Sequence, residues 1–274
     1  MQGKIYLVAT PIGNLEDITL RALRILKEVD LIAAEDTRNT LKLLNHFEIK
    51  KPLISNHRHN EENREEELIL KLKEGKSIAV VSDAGTPGIS DPGEKLARRA
   101  IEENIDVIPI PGACAAISAL IASGIDTKEF VFYGFLPLNK KLRKEKLEEL
   151  NHETKTSIIY EAPHKMKDTL NDLKDMMETR KMVLARELTK IHEEFIRGNI
   201  NDLLNKIDTL KGEMILIIEG AEKVEQVNKL NNLSVEEHYK FYEEQGLAKK
   251  EIIKKIAKDR GVNKNEIYVK FIGK

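Results

Sequence analysis

The chain has 274 residues, enough for about two domains around a sizeable core. Its 45 Lys+Arg almost balance 46 Asp+Glu, a third of its residues are charged and only 5% are aromatic, a composition that suits a charge-rich soluble α/β protein. A single cysteine, Cys114, excludes an intrachain disulfide and fits a reducing compartment. No apolar run reaches membrane-spanning length and none follows Met1 as a leader would, so a cytoplasmic protein with no membrane partner is expected.

The first half alternates apolar runs with helical patterns. Ile5–Ala9 reads as a strand, followed by the turn Thr10-Pro11-Ile12-Gly13-Asn14. A helix is predicted over Thr19–Val29, capped by Asp17, with Leu20, Leu23 and Leu26 on one face. Leu31–Ala34 is a second strand that ends in Glu35-Asp36-Thr37-Arg38, with a short helix from Thr40 to Phe47. Pro52–Ser55 leads to His57-Arg58-His59-Asn60, and Asn60 is placed to cap a helix over Glu61–Glu74 that Gly75 stops. Ile78–Val81 is a buried strand, Glu94–Glu102 a helix, Val107–Ile110 a strand, and Ala113–Ser123 a small-residue helix ending at Gly124. This rhythm predicts a parallel, doubly wound sheet. Among Ala113, Ala115 and Ala116, Cys114 reads as a small buried thiol.

The residues between Val81 and Glu94 form the pivotal loop. Ser82-Asp83-Ala84-Gly85-Thr86-Pro87-Gly88-Ile89-Ser90-Asp91-Pro92-Gly93 holds three glycines, two prolines and two aspartates. Glycine permits positive φ and close backbone approach, and proline fixes φ, so the loop is shaped to meet a ligand. Its place at the end of a parallel strand is where open α/β sheets bind ligands.

After Thr127-Lys128-Glu129, strands are predicted over Phe130–Phe135, Ser157–Glu161, Met182–Arg186 and Met214–Ile218, with His192–Gly198 also extended. Helices near 164–177 and 199–208 separate some of them, and a mixed sheet is expected here. Lys140 to Lys146 is strongly basic. Boundaries are expected at 1–124 for an N-terminal α/β domain, 125–225 for a second one and 226–274 for a basic helical extension. The extension carries 11 Lys+Arg against 7 Asp+Glu, net +4, on a body of net −5. Its predicted helices are Val235–Gln245 and Lys249–Arg260; Gly261 makes a turn, and Asn263 with Glu266 forms a capping box opening a further helix. That is helix-turn-helix grammar, which suits a polyanion partner, although an amphipathic pair packed on the body would show the same pattern.

No G-x-x-x-x-G-K-[ST] loop, G-x-G-x-x-G fingerprint, G-x-S-x-G elbow or zinc-type histidine pair is present, so nothing in the sequence requires a metal. The polar, glycine-bearing loops instead end successive strands, and facing loops such as Tyr160-Glu161-Ala162-Pro163-His164 and Arg186-Glu187-Leu188-Thr189-Lys190 predict an interdomain cleft. From the residues alone this is a cleft enzyme with a nucleotide-like ligand.

Thr10–Thr19, Glu35–Arg38, the 82–93 loop, Tyr160–His164 and Arg186–Lys190 together resemble the tetrapyrrole-methylase superfamily of S-adenosylmethionine-dependent enzymes, over essentially residues 1–220. Within it the chain is most similar to the branch that methylates a cytidine 2′-hydroxyl of small-subunit (16S) ribosomal RNA. One departure is Lys165, where the family usually has arginine; the charge stays but the planar fork is lost. The resemblance implies two α/β domains, S-adenosyl-L-methionine in the cleft between them, a homodimer, and ribosomal RNA or the 30S particle as partner. By match, Asp83, Ala84 and Gly85 line the donor, with Pro111, Gly112, Ala115 and Ser118, and Pro11 and Ile12 lie on the first loop. Phe135, Leu136, Tyr160, Ala185 and Met214 supply the contacts of the second domain.

A 2′-hydroxyl is a poor nucleophile, so a positioned base or a cation beside the developing alkoxide is expected. Glu35 and Asp36 are candidate bases and Lys190 a candidate base or electrostatic partner. Asp36 with Arg38 also reads as a loop ion pair, and Lys190 as a phosphate holder. Arg38, His57, Arg58, Lys140, Lys141, Arg143 and Lys144 are expected to hold phosphates, with a solvated helix face as the plain reading of 140–146. The alternatives are a small-molecule, tetrapyrrole-like methylase and a non-catalytic RNA-binding or ribosome-assembly factor.

Overall fold

The computed structural model describes residues 2–57, 61–222, 230 and 233–271. Residues 1–221 form one compact unit and 222–274 a second.

The first half of the larger unit is a five-stranded parallel sheet. β1 (Ile5–Val8), β2 (Leu31–Ala34), β3 (Leu53–Ser55), β4 (Ile78–Val81) and β5 (Val107–Ile110) take the order β3-β2-β4-β1-β5. All four residues of β4 are buried, as a central strand covered on both faces requires. α1 (Leu20–Glu28) and α2 (Thr37–His46) cover one face, where Ile25, Leu26 and Leu44 meet Val8, Ile32 and Val81. α3 (Glu61–Lys73) and α4 (Glu94–Glu102) cover the other, with Leu68, Leu72 and Leu96 against Ile5, Ile78 and Val80.

Several predicted details shift. The N-cap of α1 is Thr19, whose hydroxyl accepts from Ala22 N–H, while Asp17 belongs to a preceding 3-10 turn capped by Asn14. The buried face of α1 is Ala22, Ile25 and Leu26; Leu20 is 87% exposed. Strict i, i+3, i+6 spacing drifts around a 3.6-residue turn, and the Ile25–Leu26 pair won the core. α2 starts three residues before Thr40 because Asp36 caps it, and α3 ends at Lys73 ahead of Gly75. Asn60, expected to cap α3, lies outside the described residues. α5 (Ala115–Ser123) opens two residues after Ala113 and ends at the left-handed Gly124.

The second sheet is mixed, as its spacing predicts. β6 (Phe130–Phe135), β7 (Thr156–Glu161), β8 (Met182–Arg186), β9 (Glu194–Gly198) and β10 (Met214–Ile218) take the order β6-β7-β10-β8-β9. β6 and β7 are parallel, and β10 runs antiparallel to both β7 and β8. α6 (Lys140–His152), α7 (Pro163–Lys174) and α8 (Ile200–Ile207) cover one face, around Leu150, Met166, Leu170 and Leu203. α5 covers the other: Ala116, Ala119 and Leu120 pack on Ile158, Val183, Ala185 and Ile217. A helix that follows the first sheet therefore roofs the second, and this welds the two halves.

The smaller unit holds α9 (Val235–Glu243), α10 (Lys249–Arg260) and α11 (Lys264–Val269). Ile252, Ile253, Ile256 and Ala257 of α10 are buried against Val235, Tyr242 and Ile267. Gly261 caps α10 in the left-handed conformation, and the predicted Asn263–Glu266 capping box is formed.

Candidate active site

Because the first sheet is parallel, the loops after β1, β2, β4 and β5 gather at one edge. Backbone bonds tie them together. Thr10 N–H donates to Gly85 O at 2.9 Å and Gly85 N–H to Thr10 O at 3.1 Å. The Thr86 hydroxyl donates to Ala113 O at 3.1 Å, linking the pivotal loop to the one after β5. Gly85 has φ +76°, and a Cβ there would lie 3.2 Å from Ile12 Cγ2. Positive φ and close approach both demand glycine at this point.

Against this edge stands the end of the second sheet, and between them open two cavities of about 350 Å³ each. The first is mainly apolar, walled by Ile12, Ile89, Ala115, Phe135, Tyr160, Ala185, Leu188, Met214 and Ile215. Thr86, Asp91, Glu161 and Glu213 add polar groups. The Phe135 and Tyr160 rings meet edge-on at 5.7 Å, and the Tyr160 hydroxyl accepts from Ala116 N–H at 3.0 Å. Burial, with Cys114 and Asp91 nearby, pushes that hydroxyl up to about 12, so Tyr160 stays protonated. The second cavity is more polar, lined by Thr10, Pro11, Leu15, Asn39, Thr40, Lys42, Leu43, Ser82, Asp83 and Lys190. Ile12, Ala84 and Glu213 border both, so the cavities adjoin.

Of the residues expected on the donor, Ile12, Ala84, Gly85, Ala115, Phe135, Tyr160, Ala185 and Met214 line the first cavity. Pro11 and Asp83 line only the second. Pro111 and Gly112 lie exposed beyond β5, and Ser118 is half-buried on α5, away from both linings. Leu136 turns into the core beside Leu147 and Leu150 and is 5% exposed.

The three candidate catalytic groups separate. Lys190 lines the second cavity, with Nζ 3.0 Å from both Glu187 Oε1 and Glu213 Oε2. Burial works to lower its ammonium, but hydrogen bonds to Glu213 and Glu187 outweigh it and hold the group above its usual value. Lys190 is thus a fixed cation. Gly13 makes room for it: a Cβ there would meet Lys190 Cγ at 2.6 Å, with φ at +154°. Asp36 caps α2, and the hydrogen bonds from the Arg38 side chain and backbone lower its carboxyl to about 2, which makes it a weak proton acceptor. Glu35 accepts from Asp83 N–H at 3.2 Å and braces the pivotal loop; neither it nor Asp36 is among the residues lining these two cavities.

The residues expected to hold phosphates also divide. Arg38 is 86% exposed and paired with Asp36. Lys140, Lys141 and Lys144 are exposed on α6. Arg143 of the same helix is drawn inward, donating to Asp172 at 3.0 Å and Thr169 at 2.9 Å, and lies 3.7 Å from the buried Glu161. His57 is half-buried just past β3, and Arg58 lies outside the described residues.

Cys114 is not the closed-off thiol its neighbours predict: it is half-buried and faces the first cavity, because it precedes the first turn of α5 rather than sitting inside it. Sequence reasoning also missed Glu213 and Asn39. Glu213 adjoins the site because β10 is antiparallel to β7 and β8, which puts its first residue beside their last ones, Glu161 and Arg186. Strand direction was the missing signal.

The class of protein follows from this architecture and from what the chain matches. Residues 4–204 match the family model of tetrapyrrole (corrin/porphyrin) methylases, and the chain belongs to that family. It is 53% identical over 271 residues to the ribosomal RNA small subunit methyltransferase I of Halalkalibacterium halodurans, covering 97% of this chain and 94% of that protein. It is 48% identical to the protein of that name from Bacillus subtilis, over 97% and 93% of the two chains. Among solved structures it shares the fold of the methyltransferase CobJ, with TM-score 0.62 and 16% identity, covering 80% of this chain and 95% of that one. Uroporphyrin-III-C-methyltransferase from Thermus thermophilus gives TM-score 0.56 at 21% identity, over 80% and 93%.

Proposed function

We propose that this chain transfers a methyl group from S-adenosyl-L-methionine to the 2′-hydroxyl of a cytidine in small-subunit ribosomal RNA. The observation that carries the proposal is the pair of adjoining cavities, one apolar and one polar, sharing Ile12, Ala84 and Glu213. Relatives at about half identity bear the name of a small-subunit ribosomal RNA methyltransferase.

The first cavity fits the donor. Phe135, Tyr160, Ile12 and Met214 offer apolar faces suited to an adenosine, while Thr86, Asp91 and Glu213 offer partners for hydroxyl and ammonium groups. When bound, the donor supplies an electrophilic methyl group on a sulfonium sulfur. The chain's own part is to orient, to hold charge and to receive a proton. The loop tied at Thr10 and Gly85 fixes the wall between the two cavities, and orientation of this kind can contribute about 7–11 kcal/mol. Lys190, clamped by two carboxylates, sets a permanent cation where negative charge develops on the attacking oxygen. In this reading Glu213, which borders both cavities, takes up the hydroxyl proton. Arg38, Lys140, Lys141 and Lys144 are the exposed cations for the RNA backbone, and the basic 222–274 unit adds to them.

Filling the shared wall tests the assignment. Ala84→Trp is expected to abolish both calorimetric binding of S-adenosyl-L-methionine and methyl transfer, with the melting temperature unchanged. Full donor binding in that variant would contradict it.

A further inference from the structure

The second cavity holds a hydrogen-bonding pair that the methyl-transfer account leaves unused. Asp83, expected on the donor, faces this cavity instead. Its Oδ1 accepts from Asp36 N–H at 3.2 Å, and its Oδ2 accepts from Asn39 Nδ2 at 3.3 Å. Both side chains are exposed to the cavity space, and Pro11, Leu15 and Leu43 give it apolar walls. An ionised carboxylate has about four acceptor sites, so Asp83 keeps capacity for another donor. The bond to Asp83 also settles how Asn39 is turned: its NH₂ group faces the carboxylate, and the second N–H of that group is left for a ligand. An acceptor and a donor thus stand side by side on one wall, fixed by the turn that starts α2.

We propose that this cavity takes the acceptor nucleobase and that Asp83 and Asn39 select cytosine over uracil by its amino edge. The proposal rests on the RNA-directed reading above and adds the residues that read the base. Cytosine presents an exocyclic amine beside a ring nitrogen. The amine donates to Asp83, as carboxylates accept from cytosine elsewhere, and the ring nitrogen accepts from Asn39. Uracil reverses both groups, setting its O4 against a carboxylate and its N3–H against an amide donor. Rejection then comes from repulsion as well as from unmade bonds. Guanine's edge is reversed in the same sense, whereas adenine shares the cytosine pattern, so the pair reads the amino group. The shared walls Ile12, Ala84 and Glu213 place the sugar of a base held here next to the first cavity.

Nucleotide binding tests this without any turnover. The full chain, saturated with S-adenosylhomocysteine, is titrated with cytidine and uridine monophosphates and followed by NMR. Cytidine monophosphate is expected to bind at least tenfold more tightly, in line with one bidentate base recognition. Asp83→Asn, which can donate to O4, is expected to erase or invert that preference, and Asn39→Ala to reduce it, while calorimetric affinity for the donor product stays the same. Equal binding of the two nucleotides by the native chain, or a preference that survives both substitutions, overturns the proposal. Cytidine preference in a chain that puts no methyl on ribose would leave the base pocket standing and remove the methylation reading instead.

Discussion

Lys190 is the residue on which the proposed chemistry turns. Its ammonium is held by Glu187 and Glu213 and keeps its proton, so its proposed part in the reaction is that of a charge and not of a base. Lys190→Ala is therefore expected to slow single-turnover methyl transfer by about 10²–10³-fold with donor affinity retained. A rate unchanged by that substitution would remove Lys190 from the mechanism. Gly85 belongs to the same scale. Alanine there must adopt φ near +76° and push against Ile12, at a cost of about 1–2 kcal/mol to the loop. Weaker donor binding by calorimetry is the expected outcome. Arg143 makes the opposite point. Lying among basic neighbours, it reads as a phosphate holder, yet its guanidinium secures Thr169, Asp172 and the buried Glu161. Arg143→Ala is expected to cost about 2–3 kcal/mol in denaturant unfolding, where Lys144→Ala leaves stability alone and weakens only RNA binding.

At the scale of elements, the sequence was legible wherever local chemistry decides the outcome. The strands Ile78–Val81, Met182–Arg186 and Met214–Ile218 and the helices Glu94–Glu102 and Lys249–Arg260 stand where their apolar runs predict. The capping box at Asn263 and Glu266 formed because it needs only residues three apart. Asn263→Ala should lower protection of α11 amides in hydrogen exchange by about 1 kcal/mol, and unchanged protection would show the cap to be idle. What the sequence hid were consequences of tertiary pairing. The Asp36–Arg38 pair is read from the sequence and is formed, but that the Asp36 N–H meets Asp83 depends on where β2 ends beside β4. That Glu213 enters the site depends on β10 running antiparallel. The family motifs locate the cleft, but they do not reveal that it divides into two cavities or that Asp83 belongs to the polar one.

At the scale of the whole molecule, the division at Ala221 separates a catalytic body from a small helical unit with its own core. That core contains a fully buried histidine, His238. Burial and the Arg260 charge depress its pKa, outweighing the Asp259 carboxylate 3.3 Å from Nε2. Arg260 Nε donates to its Nδ1 at 3.2 Å, which requires the neutral ring. A depressed folded-state value means that the unfolded chain takes up the proton first. The stabilisation is complete above the ordinary histidine value of about 6.5 and is lost as pH falls from there through the folded-state value. Melting of the helical unit should therefore move to lower temperature below that pH, and His238→Gln should flatten the dependence. If the basic unit binds RNA, ending the chain at Ala221 should weaken RNA binding and reduce its salt slope, by about 0.7 for each single-stranded phosphate that the unit neutralises.

In the proposed function the two adjoining cavities join a methyl donor to a ribose hydroxyl. The most direct measurement is transfer of labelled methyl from S-adenosyl-L-methionine to small ribosomal subunits lacking their native methylations, followed by digestion to nucleosides. Label recovered in 2′-O-methylcytidine, and abolished or strongly reduced with Lys190→Ala, is the predicted result. Label on a base, on another nucleoside or on a small-molecule acceptor alone would contradict it.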